Sequence, residues 1–153
     1  MTQSENTADS GLIIVYDGHC NLCNRSLQFV LRHSARGQFT FISFQSEQGQ
    51  VICDHFGIEF DESTSMLVIE AGELHTESRA WQKILGRLSL RYRILALLMR
   101  ILPTGLNDRV YRFIGARRYR WFGRSAECRL IDPTTIPESD AIQKQLQSSS
   151  NRE

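Results

Sequence analysis

The feature that most constrains the fold is a pair of cysteines, Cys20 and Cys23, set between an apolar run and an amphipathic one. Residues 12–16 (LIIVY) are uninterrupted and largely β-branched, which predicts a buried strand. Residues 22–31 place apolar side chains at helical spacing, which predicts a helix. With a glycine turn between them, Cys20 should lie at the first turn of that helix. Unpaired N–H groups and the helix dipole stabilise a thiolate there.

Two chemistries use this cysteine spacing, a dithiol redox site and a zinc site. A structural zinc site takes four ligands, usually from two such pairs, and this chain has one pair. The other cysteines and histidines are not spaced as a second pair: His19, His33, Cys53, His55, His75 and Cys128. We therefore expect a redox-active disulfide between Cys20 and Cys23, with no metal and no bound cofactor.

Length and composition indicate one globular domain, since 153 residues with 41% hydrophobic and 23% charged residues are ordinary for that class. Residues 1–10 are polar and lack the pattern of a signal peptide, so a disordered tail and a cytoplasmic setting are expected. Residues 133–153 form a second polar tail. The predicted domain is residues 11–132.

The charge is unevenly distributed along the chain. Residues 1–78 carry three Arg against eleven acidic residues, whereas residues 79–129 carry twelve Arg and one Lys against two acidic residues. This asymmetry indicates either intramolecular complementarity with solvated helix faces, or a docking surface for an acidic partner or a membrane. No nucleic-acid-binding motif accompanies the arginines, so no nucleic-acid partner is expected.

Periodicity predicts strands at 11–16 and 39–44, and helices at 21–34 and about 45–56. A β-hairpin at 66–76 and helices from 79, over 92–102 and over 109–117 complete the pattern, with Gly37 as a helix C-cap. The order βαβα-ββα is the thioredoxin arrangement, an α/β fold, with an added Arg-rich helical region from about residue 90. Residues 94–102 are the most apolar segment, too short to span a membrane. We expect a buried core helix there rather than contact with a membrane surface, and a helix lying on a membrane surface is the alternative.

Two separated motifs resemble the DCC family of predicted thiol-disulfide oxidoreductases, thioredoxin-like proteins named for an Asp-Cys-Cys signature. The front motif is residues 16–25 (YDGHCNLCNR), in which Asp17, Cys20 and Cys23 match the signature. The back motif is residues 119–124 (YRWFGR) with Cys128. Gln45-Ser46 and Ser78 also match. The resemblance covers residues 11–130 and implies a thioredoxin-like fold and thiol–disulfide exchange.

The chain departs from general thioredoxins at one place. Those proteins carry a cis-proline before the first strand of the hairpin, facing the cysteine pair. The corresponding position here holds Thr64 or Ser65, and the chain's three prolines all lie after residue 100.

The site residues have the following expected roles. Cys20 is the attacking thiolate, and the more buried Cys23 resolves the mixed disulfide. Asp17 acts as a base for Cys23 or as a structural turn and cap residue. His19 and Gly18 modulate the pair, His19 by stabilising the thiolate if protonated, or as a plain turn residue.

The remaining candidates surround this pair. Tyr119, Arg120 and Trp121 are expected at the site, where the aromatic side chains of the back motif would pack under the thiols. Arg118, Arg120 and Arg124 are expected to face outward or toward Asp17. Cys53 is expected to be a core residue, and Cys128 is a third redox thiol or inert.

The predicted function is thus a protein-disulfide reductase type of thiol-disulfide oxidoreductase. Its expected substrate is a disulfide-containing protein or a small thiol, and an unidentified reductant would recharge it. The alternative is a non-catalytic thioredoxin-like binding module or redox sensor that docks a partner through its Arg-rich helices. The oligomeric state is not predicted.

Overall fold

The computed structural model describes residues 11–35, 38–60 and 66–124, which form an α/β fold. Its elements in chain order are β1 (Leu12–Tyr16), α1 (Asn21–His33), β2 (Phe39–Ser43), α2 (Glu47–Phe56), β3 (Leu67–Glu70), β4 (Glu73–His75), α3 (Glu77–Gly86), α4 (Leu90–Ile101) and α5 (Thr104–Phe122). The predicted thioredoxin-like order, βαβα-ββα followed by added helices, is confirmed. The tails predicted at 1–10 and 133–153 lie outside the described ranges.

The strands form one sheet in the order β2-β1-β3-β4, with β1 parallel to β2 and antiparallel to β3. Every residue of β1 is buried because helices cover both faces of the sheet. Leu12, Ile14 and Tyr16 pack in one cluster with residues of α1 and α3, while Ile13 and Val15 pack in a second cluster with α2. The alternation follows from the two-residue period of a strand.

Turn and cap residues determine where the hairpin and α2 begin and end, and these positions agree with the prediction. The hairpin loop consists of Ala71 and Gly72, both with positive φ, as a two-residue hairpin turn requires. The Ser46 hydroxyl accepts the Gly49 N–H at the start of α2, and Gly57, at φ 64°, ends it. The helix α1 ends at His33, before Gly37, and that predicted cap lies outside the described residues.

The prediction of a buried core helix at 94–102 is wrong. In α4 only Ala96 is buried, and Tyr92 and Met99 are partly buried against the first core cluster. Most of its other apolar side chains are exposed, up to 75% for Ile101. The apolar run correctly indicated a helix. A single stripe of apolar side chains is enough to attach this helix to the core, and the sequence of the run does not show whether anything packs against the opposite side of the helix.

The last helix is longer than predicted. Instead of residues 109–117, α5 runs from Thr104 to Phe122 and ends at Gly123, whose φ of 77° breaks the helix. It therefore includes most of the YRWFGR motif. The helix includes Gly105, which was expected only to precede it, because an exposed helix tolerates a single glycine at a cost of about 1 kcal/mol. Likewise, α3 begins at Glu77, two residues before the predicted start.

Candidate active site

The strand-to-helix turn places Cys20 at the N-cap of α1, as predicted. Its backbone is extended (φ −83°, ψ 113°), and its Sγ accepts the N–H of Cys23 at 3.3 Å. The Cys20 N–H donates to the Asp17 carbonyl at 3.2 Å, and the Cys20 carbonyl accepts the first helical hydrogen bond, from Asn24, at 3.0 Å. A sulfur in the N-cap position satisfies a helix N–H that would otherwise be unpaired, and does so best as a thiolate.

The two thiols have opposite pKa shifts. A hydrogen bond from Cys23 lowers the pKa of Cys20 to about 7, although burial opposes the shift; the Cys23 N–H and the charge of Arg118 lower it further. The pKa of Cys23 is raised far above its ordinary value, first by that same hydrogen bond and then by burial. Of the two thiols, Cys20 is therefore the one that ionises first, and Cys23 keeps its proton and donates the hydrogen bond.

Both sulfur-bearing residues are buried, with Cys20 1% and Cys23 7% exposed. Protein atoms surround Cys23 more densely than Cys20, as predicted, although slightly more of its surface is exposed. The end of α5 and the residues after it contact Cys20 and its neighbour Asn21. Arg124 forms an antiparallel β-bridge with Cys20, and the Asn21 amide donates to the Phe122 carbonyl at 3.0 Å. We call residues 122–124 the α5 cover.

Asp17 is buried and its carboxylate is fully engaged. Oδ1 accepts the Gln45 amide at 2.9 Å and the His19 N–H at 3.0 Å, and Oδ2 accepts the Tyr119 hydroxyl. Burial raises the pKa of Asp17, but the hydrogen bonds from Tyr119, His19 and Gln45 outweigh it and the pKa is lowered overall. A lowered pKa makes the carboxylate a weaker base, so this geometry favours the structural role. Proton transfer from Cys23 to Asp17 stays a prediction.

The turn is held from several directions. The Gln45 carbonyl oxygen accepts the Gly18 N–H at 3.1 Å and the Ser43 hydroxyl at 2.6 Å. The Asn24 amide donates to the Gly18 carbonyl at 3.1 Å. The residues at the end of β2 therefore fix the conformation of the turn that carries Cys20.

Arg118 is a buried cation, 4% exposed, on the inner side of α5. Its Nη2 donates to the Tyr119 hydroxyl at 3.2 Å. Burial lowers the pKa of its guanidinium, but the charges of Cys23, Tyr119 and Cys20 raise it by more. Burial together with the hydrogen bond to Asp17 likewise raises the pKa of Tyr119 to about 12. Arg118 and Tyr119 thus join the back motif to the thiols and to Asp17.

Comparison with known proteins identifies the family of the chain. The profile of the DCC1-like thiol-disulfide oxidoreductase family matches residues 14–124, from β1 to the α5 cover. The chain belongs to this family. The resemblance predicted from the two motifs is thereby confirmed, and with it a thiol–disulfide redox role at the level of the family.

The DCC1-like relatives include two from distant organisms. The uncharacterized protein YuxK of Bacillus subtilis is 37% identical over 122 residues, covering 80% of this chain and 88% of YuxK. A chloroplastic DCC family protein of Arabidopsis thaliana is 32% identical over 122 residues, covering 80% of this chain and 71% of the relative. No solved structure is significantly similar to the chain.

The other predicted residues of this DCC1-like site are placed unevenly. His19 is half-buried in the turn and Gly18 is buried there. Arg120 is exposed, which is one of its two expected orientations. Trp121 is exposed with its ring edge-on to Phe113, 5.8 Å between centroids, so it does not pack under the thiols as predicted. A 19-residue helix presents only one face to the site, and positions 120 and 121 lie off that face.

The two additional cysteines are separate from the pair or outside the described chain. Cys53 lies in the second core cluster, on the opposite face of the sheet, as predicted, and burial raises its pKa. Cys128 is outside the described residues, so its role as a third thiol stays a prediction.

A cavity of about 340 Å³ adjoins Cys23. Its wall is largely apolar, with Leu22 from α1, Trp81 from α3 and Ile114 from α5, and Arg118 lies at the wall beside Cys23. Volumes of this size accommodate small ligands.

Two negative findings apply to residues 11–35, 38–60 and 66–124. No group of three His, Cys, Asp or Glu side chains there is arranged to hold a metal ion. None of the helices in those ranges is both long and apolar enough to cross a membrane. The expected absence of metal and of a cofactor stays a prediction.

Sequence reasoning missed two important residues of this DCC1-like site. For Arg118 the sequence left open whether it faces outward or toward Asp17; it is buried on the helical face that it shares with Tyr111 and Ile114, which line the cavity beside it. A single arginine on an apolar stripe was the available signal. Gln45 was noted only as a match to the family, and its contact with Asp17 spans 28 residues, which no local pattern reveals.

Proposed function

We propose that the protein is a dithiol oxidoreductase that reduces disulfides, with Cys20 as the nucleophile and Cys23 as the resolving thiol. The observation that carries the proposal is the N-cap geometry of Cys20. Its Sγ accepts the Cys23 N–H, and its pKa of about 7 lies well below that of Cys23. A thiol with a pKa near the ambient pH combines a high thiolate fraction with good nucleophilicity.

The reaction takes two exchange steps. The Cys20 thiolate attacks one sulfur of the substrate disulfide, so that a mixed disulfide forms and the other substrate sulfur leaves as a thiolate, which takes up a proton. Cys23 then loses its proton and attacks Cys20 Sγ, which forms the Cys20–Cys23 disulfide and releases the second substrate thiol. Two electrons pass from the dithiol to the substrate. A thiol reductant must return them before the next turnover.

Cys20 must be uncovered before a protein disulfide can reach it, because it is only 1% exposed. The α5 cover forms a β-bridge with Cys20 and accepts a hydrogen bond from the neighbouring Asn21. We expect displacement of the cover to expose the sulfur. The same burial favours a second candidate, a redox sensor in which the pair forms a disulfide without turning over substrate. Its Arg-rich helices would then serve to dock a partner.

The test uses a Cys53→Ala/Cys128→Ala background, so that only the pair reacts. We expect alkylation of Cys20 by iodoacetamide to follow a midpoint near pH 7 and insulin disulfides to be reduced with a dithiol or glutathione as donor. Cys20→Ser should abolish reduction, and Cys23→Ser should accumulate a mixed disulfide detectable by mass spectrometry.

The dithiol enzyme and the redox sensor predict different results in these assays. A Cys20 midpoint near that of an ordinary thiol, about 8.5, with no turnover on any donor, would reject the dithiol enzyme. A midpoint near pH 7 and reversible disulfide formation, but no reduction of insulin, glutathione disulfide or cystine, would favour the sensor.

A further inference from the structure

The exposed apolar side chains of this protein are concentrated on its last two helices. Among the described residues, all but two of the exposed large apolar side chains lie between residues 90 and 122, the exceptions being Val51 and Phe60. Scattered exposed apolar residues are normal, but a concentration of this kind marks a surface that binds something.

The helix α4 is apolar on two opposite sides. Its inner side, with Tyr92, Ala96 and Met99, packs against the first core cluster. Its outer side carries Leu90, Ile94, Leu97, Leu98 and Ile101, spaced by four, three, one and three residues and all exposed. We call this set the α4 outer face. Since the inner side already anchors the helix, the outer face is not needed for the core.

The charged residues of α4 itself have one sign. The helix α4 contains Arg91, Arg93 and Arg100, all exposed, and no acidic residue. Asp108 is the one acidic residue in the sequence from 90 to 124, and it accepts a hydrogen bond from the Ser78 hydroxyl. The occupant of the face must therefore supply both an apolar phase and negative charge.

We propose that the α4 outer face docks the protein in the plane of an anionic lipid bilayer. An apolar helical face flanked by arginines is the pattern of an interfacial helix, whose cations contact lipid phosphates while its apolar side chains enter the acyl boundary. A spanning arrangement does not fit, because α4 has 12 residues, about 18 Å of helix, and the hydrocarbon core is about 30 Å thick.

The same residues disfavour the other occupants. A second copy using this face would bring arginines against arginines, with no acidic residue of α4 between them. An acidic protein surface would satisfy the arginines, but not an exposed leucine and isoleucine stripe between them. The docking does not depend on the redox proposal, since neither cysteine belongs to the face.

The experiment is co-sedimentation of the full chain with phosphatidylglycerol vesicles and with phosphatidylcholine vesicles. We expect binding to the first, weaker binding to the second, and a decrease with added salt. Leu97→Gln/Ile101→Gln should weaken binding to phosphatidylglycerol at least about tenfold, because it removes apolar contact. Arg93→Gln/Arg100→Gln should lower both binding and its salt dependence.

Val51→Gln is the matched control, since Val51 is an exposed apolar side chain on α2, and it should bind like the wild type. Far-ultraviolet circular dichroism checks that each variant is folded. The proposal is overturned if wild type fails to sediment with anionic vesicles or if Leu97→Gln/Ile101→Gln sediments like wild type. It is also overturned if the face mediates only self-association in sedimentation velocity. The proposal is likewise contradicted if soluble polyglutamate binds the wild type and the Leu97→Gln/Ile101→Gln variant equally well and the wild type shows no preference for lipid, because the arginines alone would then account for binding.

Discussion

Arg118 affects both the acidity of the thiols and the packing of α5 against the site. A buried guanidinium is costly unless negative charge or hydrogen-bond acceptors compensate it. Here the compensation comes from the Tyr119 hydroxyl and from the negative charge of the cysteine pair. The arginine and the Cys20 thiolate therefore stabilise each other. Since only the reduced pair carries this charge, Arg118 favours the reduced form and makes the disulfide a stronger oxidant.

Replacing Arg118 by Gln should raise the pKa of Cys20 above its value of about 7 and lower the reduction potential of the pair. At pH 7 the thiolate fraction should fall from about half to a minority. Ultraviolet absorbance of the thiolate against pH gives the pKa, and equilibrium with glutathione gives the potential. Arg118→Lys retains the charge and should retain most of both values. Arg120→Gln, on the exposed side of the same helix, should change neither, and equal effects of the two Gln variants would contradict this role.

Asp17 makes the stability of the protein depend on acid. Its pKa in the folded protein is below the ordinary 3.8, so the ionised form stabilises the fold above that pH. This stabilisation is lost as the pH falls from about 3.8 through the lowered pKa. This loss of stability arises from the buried Asp17 carboxylate and the three groups that donate hydrogen bonds to it.

The variant Asp17→Asn should lower the free energy of unfolding by about 1–3 kcal/mol at pH 7, because it removes hydrogen bonds to a charged group. Near pH 3 the difference between variant and wild type should shrink, since the wild-type carboxylate is then losing its charge. Urea unfolding at a series of pH values measures both. A constant difference across the series would mean that Asp17 does not titrate with folding.

At the scale of elements, α5 is the piece that completes the site. Its inner face supplies Arg118, its C-terminal end supplies Tyr119, and the cover that follows it pairs with Cys20. Gly123 makes the change of direction between helix and cover, at a φ of 77° that a residue with a Cβ adopts poorly. A Cβ there would also lie 3.4 Å from the Asn21 amide nitrogen.

Gly123→Ala should therefore loosen the cover, raise the alkylation rate of Cys20 several-fold at constant pH, and destabilise the fold by about 1 kcal/mol. Gly115→Ala is the matched control in the same helix. Its φ is not positive, and no heavy atom of the described residues outside the backbone of its own helix lies within 4 Å of a Cβ there, so this variant should be neutral or slightly stabilising. Alkylation kinetics and thermal unfolding test both variants. Unchanged Cys20 reactivity in a folded Gly123→Ala protein would show that the cover does not limit access.

At the scale of the whole molecule, the sequence predicted the core better than it predicted the added helices. The period-two strand pattern, the Ser46 cap and the hairpin turn depend on neighbours in the chain, so local chemistry determines them. The surroundings of α4 depend on what packs against it, and its apolar run alone wrongly indicated burial. For the same reason the sequence did not reveal the contacts of Arg118 and Gln45, because these contacts form between segments that are far apart in the chain.

The thioredoxin-like core and the added helices should act as one unit. A chain ending at Ser89 lacks Arg118, Tyr119 and the residues of α4 that pack against the first core cluster. We expect it to unfold at much lower urea concentration and its Cys20 to titrate closer to an ordinary thiol. A chain ending at Arg124 keeps all of these groups and should resemble the full protein. Wild-type titration of Cys20 in the shorter chain would show that the core alone creates the site.

The contacts that close the site also determine when it can form during synthesis. The bonds from Asn21 to Phe122 and from Tyr119 to Asp17 join residues 101 and 102 positions apart. A ribosome adding about 5–20 residues per second needs about 5–20 s to make the intervening chain. Throughout that interval the cysteine pair has been made, but the arginine and the cover have not. During that period the thiols lack the charge of Arg118 and the protection of the cover, and the site acquires its final acidity and access only when the last helix docks.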